Sequence, residues 1–154
     1  MIRKVEEKDR DIYIEMSKAF YRSDAVLHMI PEIHFLTTFD LIVTGSPYAE
    51  GYVFEYQDRV VGYTLLSFTY SNEAGGLVLL IEEVYILPDY QGHGFGQEFL
   101  AFLESTYRSK VALIRLEVEK SNKSALQLYR KMGFTKTEYI QLYKRPAGVR
   151  KKIQ

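Results

Sequence analysis

The stretch from Leu79 to Gly96 constrains the fold more than any other part of this sequence. It begins with an apolar, β-branched run that is typical of a strand, and it ends in three alternating glycines, Gly92, Gly94 and Gly96. An amphipathic pattern follows at once, so we predict a strand, a glycine-rich turn and the start of a helix. Unpaired N–H groups and the dipole at such a helix start favour an anion, and glycines let a phosphate approach the backbone.

The spacing of the glycines distinguishes between kinds of nucleotide-binding turn. A dinucleotide-binding fingerprint requires glycine at the first, third and sixth positions, and the sixth position counted from Gly92 is Gln97. A Walker A loop requires Gly-Lys-Ser/Thr, which the sequence lacks. The remaining pattern is Gln91-x-x-Gly94-x-Gly96. A strand-to-helix connection without a ligand is the structural alternative, but such a connection rarely needs three alternating glycines.

Composition limits the classes of function. The 154 residues, of which 47% are hydrophobic and 26% charged, fit one soluble globular domain. The absence of cysteine excludes a disulfide, a thiolate nucleophile and a zinc–thiolate site. Basic and acidic residues balance at 20 each, which argues against a broad nucleic-acid footprint. The charged N-terminus does not resemble a signal peptide, and no apolar run reaches membrane-spanning length. We predict a cytoplasmic protein with one domain over residues 1–144 and a basic, mobile tail over residues 145–154.

Apolar periodicity predicts alternating strands and helices along the rest of the chain. The fold class is α/β (α+β), with a mixed, mostly antiparallel sheet flanked by helices. One continuous apolar run follows a helix, so it is predicted to lie parallel to the central strand and to be buried on both faces. Besides the central strand, the predicted strands are Ile2–Val5, Tyr52–Tyr56, Val60–Phe68, the parallel strand Val111–Val118, Phe134–Glu138 and Ile140–Tyr143. The predicted helices are Asp9–Phe20, Pro31–Gly45, Phe95–Tyr107 and a fourth helix that Ser121 or Asn122 caps and that Gly133 ends.

Two blocks of this sequence carry a resemblance to a known family. The pattern Gln91-x-x-Gly94-x-Gly96 resembles the acetyl-coenzyme A signature of the GCN5-related N-acetyltransferase (GNAT) superfamily, and the run from Asn122 to Phe134 looks like its second conserved block. The resemblance implies a GNAT-type sheet in which the central strand carries a bulge and splits from the following parallel strand. The free edge of the central strand would then bind the pantetheine arm of acetyl-coenzyme A, as a peptide adds to a sheet edge.

The resemblance also implies which residues bind acetyl-coenzyme A. Backbone groups of Val84 and Ile86 would hold pantetheine and polarise the acetyl carbonyl, the turn from Gln91 to Gly96 would hold the pyrophosphate, and Asn122 would contact pantetheine. A helix cap is the alternative role of Asn122. No residue spacing supports a metal site. The complete predicted cofactor-binding set is Val84, Tyr85, Ile86, Gln91, Gly92, His93, Gly94, Phe95, Gly96, Gln97, Asn122 and Tyr129.

Three side chains are candidates for catalysis. The resemblance implies that Tyr129 protonates the departing thiolate, and a phenol of pKa about 10 can share a proton with a thiol of pKa about 8.5. A packing role on the apolar stripe is the alternative. The acceptor amine must lose a proton, and Glu82 ranks before Glu83 as its base, because polyamine acetyltransferases of this superfamily use a glutamate at the position that matches Glu82. Neighbouring strand residues face opposite sides, so at most one of the two points into the cleft unless a bulge intervenes. The alternative stays open that these glutamates are only solvated carboxylates and that water acts as the base.

The resulting hypothesis is an acetyl-coenzyme A-dependent N-acetyltransferase. A primary amine would attack the thioester directly in a ternary complex, since a cysteinyl-acyl enzyme is excluded. The acceptor would be a small-molecule or peptide amine, and acidic residues near the presumed pocket favour a cationic one. No nucleic-acid or membrane partner is predicted, and the resemblance makes a homodimer plausible. The alternative is a catalytically silent acetyl-coenzyme A-binding regulatory or interaction module.

Overall fold

A computed structural model describes residues 1–147 of the chain. Within these residues, no helix is both long enough and apolar enough to cross a membrane. Residues 148–154 of the predicted basic tail lie outside the described part. The strands are β1 (Ile2–Lys4), β2 (Ala49–Tyr56), β3 (Arg59–Ser71), β4 (Gly76–Ile86) and β5 (Leu113–Leu116); the α-helices are α1 (Arg10–Phe20), α2 (Glu32–Thr44), α3 (Phe95–Tyr107) and α4 (Lys123–Lys131), and Glu7–Asp9 and Pro88–Tyr90 form short 3-10 turns.

The five strands form one sheet in the order β1-β2-β3-β4-β5. The first four run antiparallel to their neighbours, and β5 runs parallel to β4, which confirms the predicted mixed sheet. Pairing of β4 with β5 begins at Val78 with Leu113 and ends at Ile81 with Leu116. Since β4 continues to Ile86, its last residues have β3 on one side and no strand of the described chain on the other. This is the predicted split.

A β-bulge lies in β4 where the split begins. Leu65 of β3 pairs with Glu83, and the next residue, Leu66, pairs with Ile81, so Glu82 is the extra residue on β4. A bulge of this kind bends its strand and increases the local twist. The bulge therefore turns β4 away from its regular pairing at the residue where β5 stops.

Two hydrophobic cores lie on opposite faces of the sheet, and neighbouring residues of β2 belong to different ones. Val53 belongs to a buried cluster with side chains of α1 and α2, whereas Phe54 belongs to one with side chains of α3 and α4. Because consecutive strand residues point to opposite faces, the sheet has an α1–α2 face and an α3–α4 face. The α1–α2 face buries Tyr13, Met16, Phe39 and Tyr63, and the α3–α4 face buries Phe54, Leu79, Phe99 and Leu103.

The C-terminal strands were predicted wrongly. The parallel strand covers only Leu113–Leu116 and is the edge strand of the described sheet. It is not buried on both faces, because Leu113 and Arg115 are exposed on one of them. No strand forms over Phe134–Glu138 or Ile140–Tyr143 among the described residues, and Ile140 is 87% exposed. β-Branched and aromatic residues favour a strand, but a strand also needs a neighbour that supplies hydrogen bonds.

Candidate active site

An open cleft of about 430 Å³ lies where β4 and β5 part. Phe20, which lines it, belongs to the core of the α1–α2 face, and Tyr129, which also lines it, packs against the core of the α3–α4 face. The cleft therefore passes through the plane of the sheet. Its remaining walls are Ala25 after α1, Ile81, Glu82 and Val84 of β4, Leu116 and the three residues after it, Glu117, Val118 and Glu119, and Asn122 and Ala125 of α4.

The free edge of β4 forms one side of this cleft. Val84 and Ile86 pair with β3 through Thr64 and Gly62, so only the opposite edge of β4 is open to a ligand. One acceptor on that edge is already used, because Gln91 Nε2 donates a hydrogen bond of 3.0 Å to the Ile86 carbonyl. The side chain of Gln91 thus ties the glycine turn to the end of β4.

The three glycines of the turn have different structural roles. Gly92 and Gly94 have φ values of 77° and 88°, a region that L side chains rarely adopt, and a Cβ added at either would meet nothing within 4 Å. At Gly96, in contrast, a Cβ would lie 2.8 Å from Leu128 Cδ2. The first two glycines therefore shape an open turn at the start of α3, whereas Gly96 lets α4 approach α3.

The other predicted residues of the turn surround this helix start. His93 is exposed, and its Nδ1 donates to the Gln91 carbonyl at 2.9 Å. Phe95 and Gln97 lie in the first turn of α3, where the Phe95 ring packs against Tyr56 with 6.0 Å between the ring centroids. The first backbone N–H groups of a helix have no partner within the helix, so this end of α3 offers donors to an anion.

Two predicted residues reach the cleft from α4. Asn122 caps this helix, with its side-chain oxygen accepting from the Ala125 N–H at 3.3 Å, and it lines the cleft as well. The ring of Tyr129 packs against Phe134 with 5.7 Å between the ring centroids. Burial raises the pKa of Tyr129, so its phenol remains protonated at neutral pH. Asn122 is therefore both a helix cap and a cleft residue, and Tyr129 both packs against Phe134 and lines the cleft.

The two adjacent glutamates lie in different environments. Glu82 is exposed, lines the cleft and accepts a hydrogen bond of 2.6 Å from Ser67 Oγ. Glu83 does not line the cleft; it is 8% exposed on the α1–α2 face and accepts bonds of 2.7 Å from Tyr21 Oη and 2.6 Å from Tyr63 Oη. Burial raises the pKa of Glu83, although both tyrosine hydrogen bonds act in the opposite direction. The site thus brings Glu82, Asn122, Tyr129 and the free edge of β4 together and leaves Glu83 apart.

The structure places Tyr85 away from the predicted site and adds two cleft residues, Phe20 and Ala25, that the sequence did not mark. Tyr85 packs with the α1–α2 face, away from the α3–α4 side where Val84 lies. Phe20 and Ala25 line the cleft, and no motif marks them, because the first fifty residues resemble the superfamily only in their order of elements. Within residues 1–147, no group of three or more His, Asp or Glu side chains is arranged to hold a metal ion.

Comparison with known proteins identifies the family. A sequence model described as the acetyltransferase (GNAT) family matches residues 11–134, which is most of the chain. The chain belongs to this family. The thialysine N-epsilon-acetyltransferase of Bos taurus is 36% identical over 75 residues, a match that covers 48% of this chain and 44% of that relative. The chain thus matches less than half the length of this relative.

Solved structures share the GNAT fold. A possible acetyltransferase from Clostridium difficile 630 superposes with a TM-score of 0.82 and 17% sequence identity, over 95% of this chain and 97% of the other. The aminoglycoside N-acetyltransferase AAC(6')-Iy in complex with CoA superposes with a TM-score of 0.76 and 15% identity, over 94% and 93%. Likenesses at these identities concern the fold alone. The family match is what supports acetyl-coenzyme A as a ligand of this GNAT chain.

Proposed function

We propose that this GNAT protein transfers the acetyl group of acetyl-coenzyme A to a primary amine of a small-molecule or peptide acceptor. The observation that carries the proposal is the cleft at the β4–β5 split, which Glu82 and Tyr129 both line beside the free edge of β4. Family membership and the match to a thialysine N-epsilon-acetyltransferase support this reaction class.

The residues present fit a coenzyme A ligand. Its pantetheine arm carries amides, which can pair with the backbone of β4 beyond Ile81, where β5 has ended. Val84 is the leading partner, whereas the Ile86 carbonyl becomes free only if the Gln91 side chain moves. The pyrophosphate would lie at the start of α3, where Gly92 and Gly94 leave open space and the helix supplies N–H donors. Asn122 would contact pantetheine from the α4 side of the cleft.

Two side chains would carry the proton transfers. An alkylamine of pKa about 10 is mostly protonated at neutral pH and has to lose a proton before it attacks. Glu82 is proposed to accept this proton, directly or through water, since it is exposed within the cleft. The amine nitrogen then forms the new bond to the acetyl carbon while the carbon–sulfur bond breaks. Tyr129 is proposed to donate its proton to the departing sulfur, and the second proton that the nitrogen loses as it becomes an amide passes through water to restore the phenol of Tyr129.

An assay of free thiol release over a panel of primary amines tests this proposal. Acetyl-coenzyme A consumption that depends on both the protein and an amine is the expected result. Calorimetry with acetyl-coenzyme A provides the binding measurement, and no heat of binding at millimolar ligand would reject the proposal. Binding without turnover of any amine would instead identify the silent binding module.

A further inference from the structure

A hydrogen bond between Tyr21 and Glu83 joins the chain behind two walls of the cleft. Tyr21 directly follows Phe20, and Glu83 lies between Glu82 and Val84 in β4. Phe20, Glu82 and Val84 line the cleft, whereas Tyr21 and Glu83 do not. Tyr21 Oη donates to Glu83 Oε1 at 2.7 Å. The bond therefore lies outside the cleft and connects the end of one wall to the strand that forms the other.

The α1–α2 connection, which is residues 21–31, has few other directional attachments. Ala25 of this connection lines the cleft, and its N–H donates to Ser23 Oγ at 3.3 Å. Ser23 Oγ in turn donates to the Phe20 carbonyl at 2.6 Å, so both bonds remain local. Among residues 1–147, no hydrogen bond other than that of Tyr21 links the α1–α2 connection to a strand. Apolar packing also holds the connection, but packing is non-directional, so the position of this wall relative to β4 depends on one hydroxyl.

The surroundings of Glu83 make this bond costly to lose. Glu83 is 8% exposed, and its second oxygen accepts a bond of 2.6 Å from Tyr63 Oη. Tyr63 lies in β3, the neighbour of β4, so that bond stays within the sheet. Movement of Tyr21 away from the sheet would leave the other oxygen of a buried carboxylate without its donor, which is unfavourable. Glu83 therefore favours the state in which the α1–α2 connection lies against β4.

We propose that Tyr21 is a positioning residue for the acceptor. Its bond to Glu83 holds the α1–α2 connection at the distance from β4 that lets an amine fit between Ala25 and Glu82. Tyr21 acts through its neighbours, because it does not itself line the cleft. This inference rests on the proposed function for the amine, whereas the attachment of the α1–α2 connection to β4 is independent of that function.

The groups proposed to bind acetyl-coenzyme A are held in other ways. Val84 pairs with Thr64 of β3, Asn122 caps α4, and the start of α3 follows the glycine turn. None of these positions depends on the α1–α2 connection. Loss of the Tyr21 hydroxyl should therefore weaken the binding of the amine and not the binding of acetyl-coenzyme A.

Tyr21→Phe is the variant that tests this inference. The ring of Tyr21 packs against Phe20 and Phe35, with 5.2 and 5.6 Å between the ring centroids, and phenylalanine keeps these contacts. Without the bond, a smaller fraction of the protein has the wall in place, which raises the apparent dissociation constant of the amine. For the most active amine of the thiol-release panel, we expect KM to rise about tenfold, the size of one lost charge-assisted hydrogen bond. The kcat at saturating amine and the calorimetric Kd of acetyl-coenzyme A should stay at their wild-type values.

Tyr63→Phe is the matched control, because it removes the other hydrogen bond from the same carboxylate. Tyr63 is fully buried in β3 and pairs with Tyr85 of β4, so its hydroxyl does not hold the α1–α2 connection. Both variants should lower Tm, and Tyr63→Phe should lower it at least as much because Tyr63 is the more buried. Only Tyr21→Phe should raise the KM of the amine. Equal KM values in the two variants would overturn the inference, since the bond would then contribute to stability alone.

Trypsin cleavage measures the attachment without any need for activity. Arg22 is exposed and directly follows Tyr21, and the rate of cleavage at such a site follows the population of the locally opened chain. In the protein without acetyl-coenzyme A, cleavage after Arg22 should be about tenfold faster in Tyr21→Phe and unchanged in Tyr63→Phe. If no amine is acetylated but cleavage responds in this way, the proposed function fails and the attachment stands. A cleavage rate in Tyr21→Phe equal to that of wild type overturns the inference, whether or not amines are acetylated.

Discussion

Replacement of Gly94 by alanine tests whether the glycine turn holds the pyrophosphate. With φ at 88° and nothing within 4 Å of an added Cβ, the substitution meets backbone strain but no clash with the protein. The left-handed conformation costs an L residue about 1–2 kcal/mol, and the reduced freedom of the unfolded chain offsets about 0.4–1 kcal/mol of it. A net loss near 1 kcal/mol lowers Tm by about 2–4 °C in a domain of this size.

The effect on the cofactor should be larger than the effect on stability. The added methyl group occupies the open space in front of the start of α3, where the pyrophosphate is proposed to accept N–H hydrogen bonds. Loss of one charge-assisted hydrogen bond costs about 1.5–3 kcal/mol, so the Kd of acetyl-coenzyme A should rise about tenfold to a hundredfold. Isothermal calorimetry measures this Kd, and thermal unfolding measures the change in Tm.

Gly75 provides the matched control, because its φ is 80° and an added Cβ there also meets nothing within 4 Å. It lies in the turn between β3 and β4, not beside the start of α3. Gly75→Ala should therefore lower Tm by a similar amount and leave the Kd of acetyl-coenzyme A unchanged. If Gly94→Ala and Gly75→Ala have the same affinity for acetyl-coenzyme A, the turn does not hold the pyrophosphate and the reasoning is refuted.

Three further predictions concern single side chains. Tyr129→Phe should lower kcat about a hundredfold or more, which is the usual contribution of a general acid. The affinity for acetyl-coenzyme A, measured by calorimetry, should change little because the ring still packs on Phe134. Unchanged turnover would leave Tyr129 only its packing role. Glu82→Gln should lower kcat/KM for the amine at pH 7. The kcat/KM of this variant should approach that of wild type as the pH approaches about 10, where the amine is already neutral. A pH profile parallel to that of wild type would show that Glu82 is not the base. Burial raises the pKa of Glu83 above 4.5, so the folded state binds more protons and stability is lost as pH rises through the raised value. The free energy of unfolding of Glu83→Gln should therefore exceed that of wild type at pH 8, and the difference should be smaller below pH 4.5. Urea unfolding at both pH values measures this difference. A difference that does not depend on pH would contradict the expected sign.

The parts of the fold that the sequence predicts well are those encoded by local pattern. Helix α3 covers Phe95–Tyr107 as predicted, because its apolar stripe is regular and Gly94 sets its start. The parallel pairing of β4 and β5 is predicted correctly because a helix between two apolar strands indicates a parallel pair, which a short connection cannot make. The split between the two strands was implied by the resemblance to the GNAT superfamily. The segments from Phe134 to Tyr143 contain the β-branched and aromatic residues that are typical of strands, but such residues do not supply a pairing partner, and the described chain leaves the segments unpaired.

The sequence predicts residues of the candidate site only where a family motif marks them. The sequence marks Glu82 and Glu83 as adjacent carboxylates, but it does not reveal which one is the extra residue of a bulge, since the two are chemically identical. Glu83 is enclosed by Tyr21 and Tyr63, which are 62 and 20 residues away along the chain. Such contacts arise from the packing of α1 on the sheet, and no short-range pattern records them.

The bulge at Glu82 makes the length of β4 as important as its composition. Before the bulge, the odd-numbered residues Leu79 and Ile81 face the α3–α4 side, and after it the even-numbered residues Val84 and Ile86 do so. Deletion of one residue anywhere between Ile81 and Val84 would cancel this offset and exchange the inward and outward side chains on one half of the strand. Homologous chains can therefore vary the side chains of this segment far more freely than they can gain or lose a single position in it.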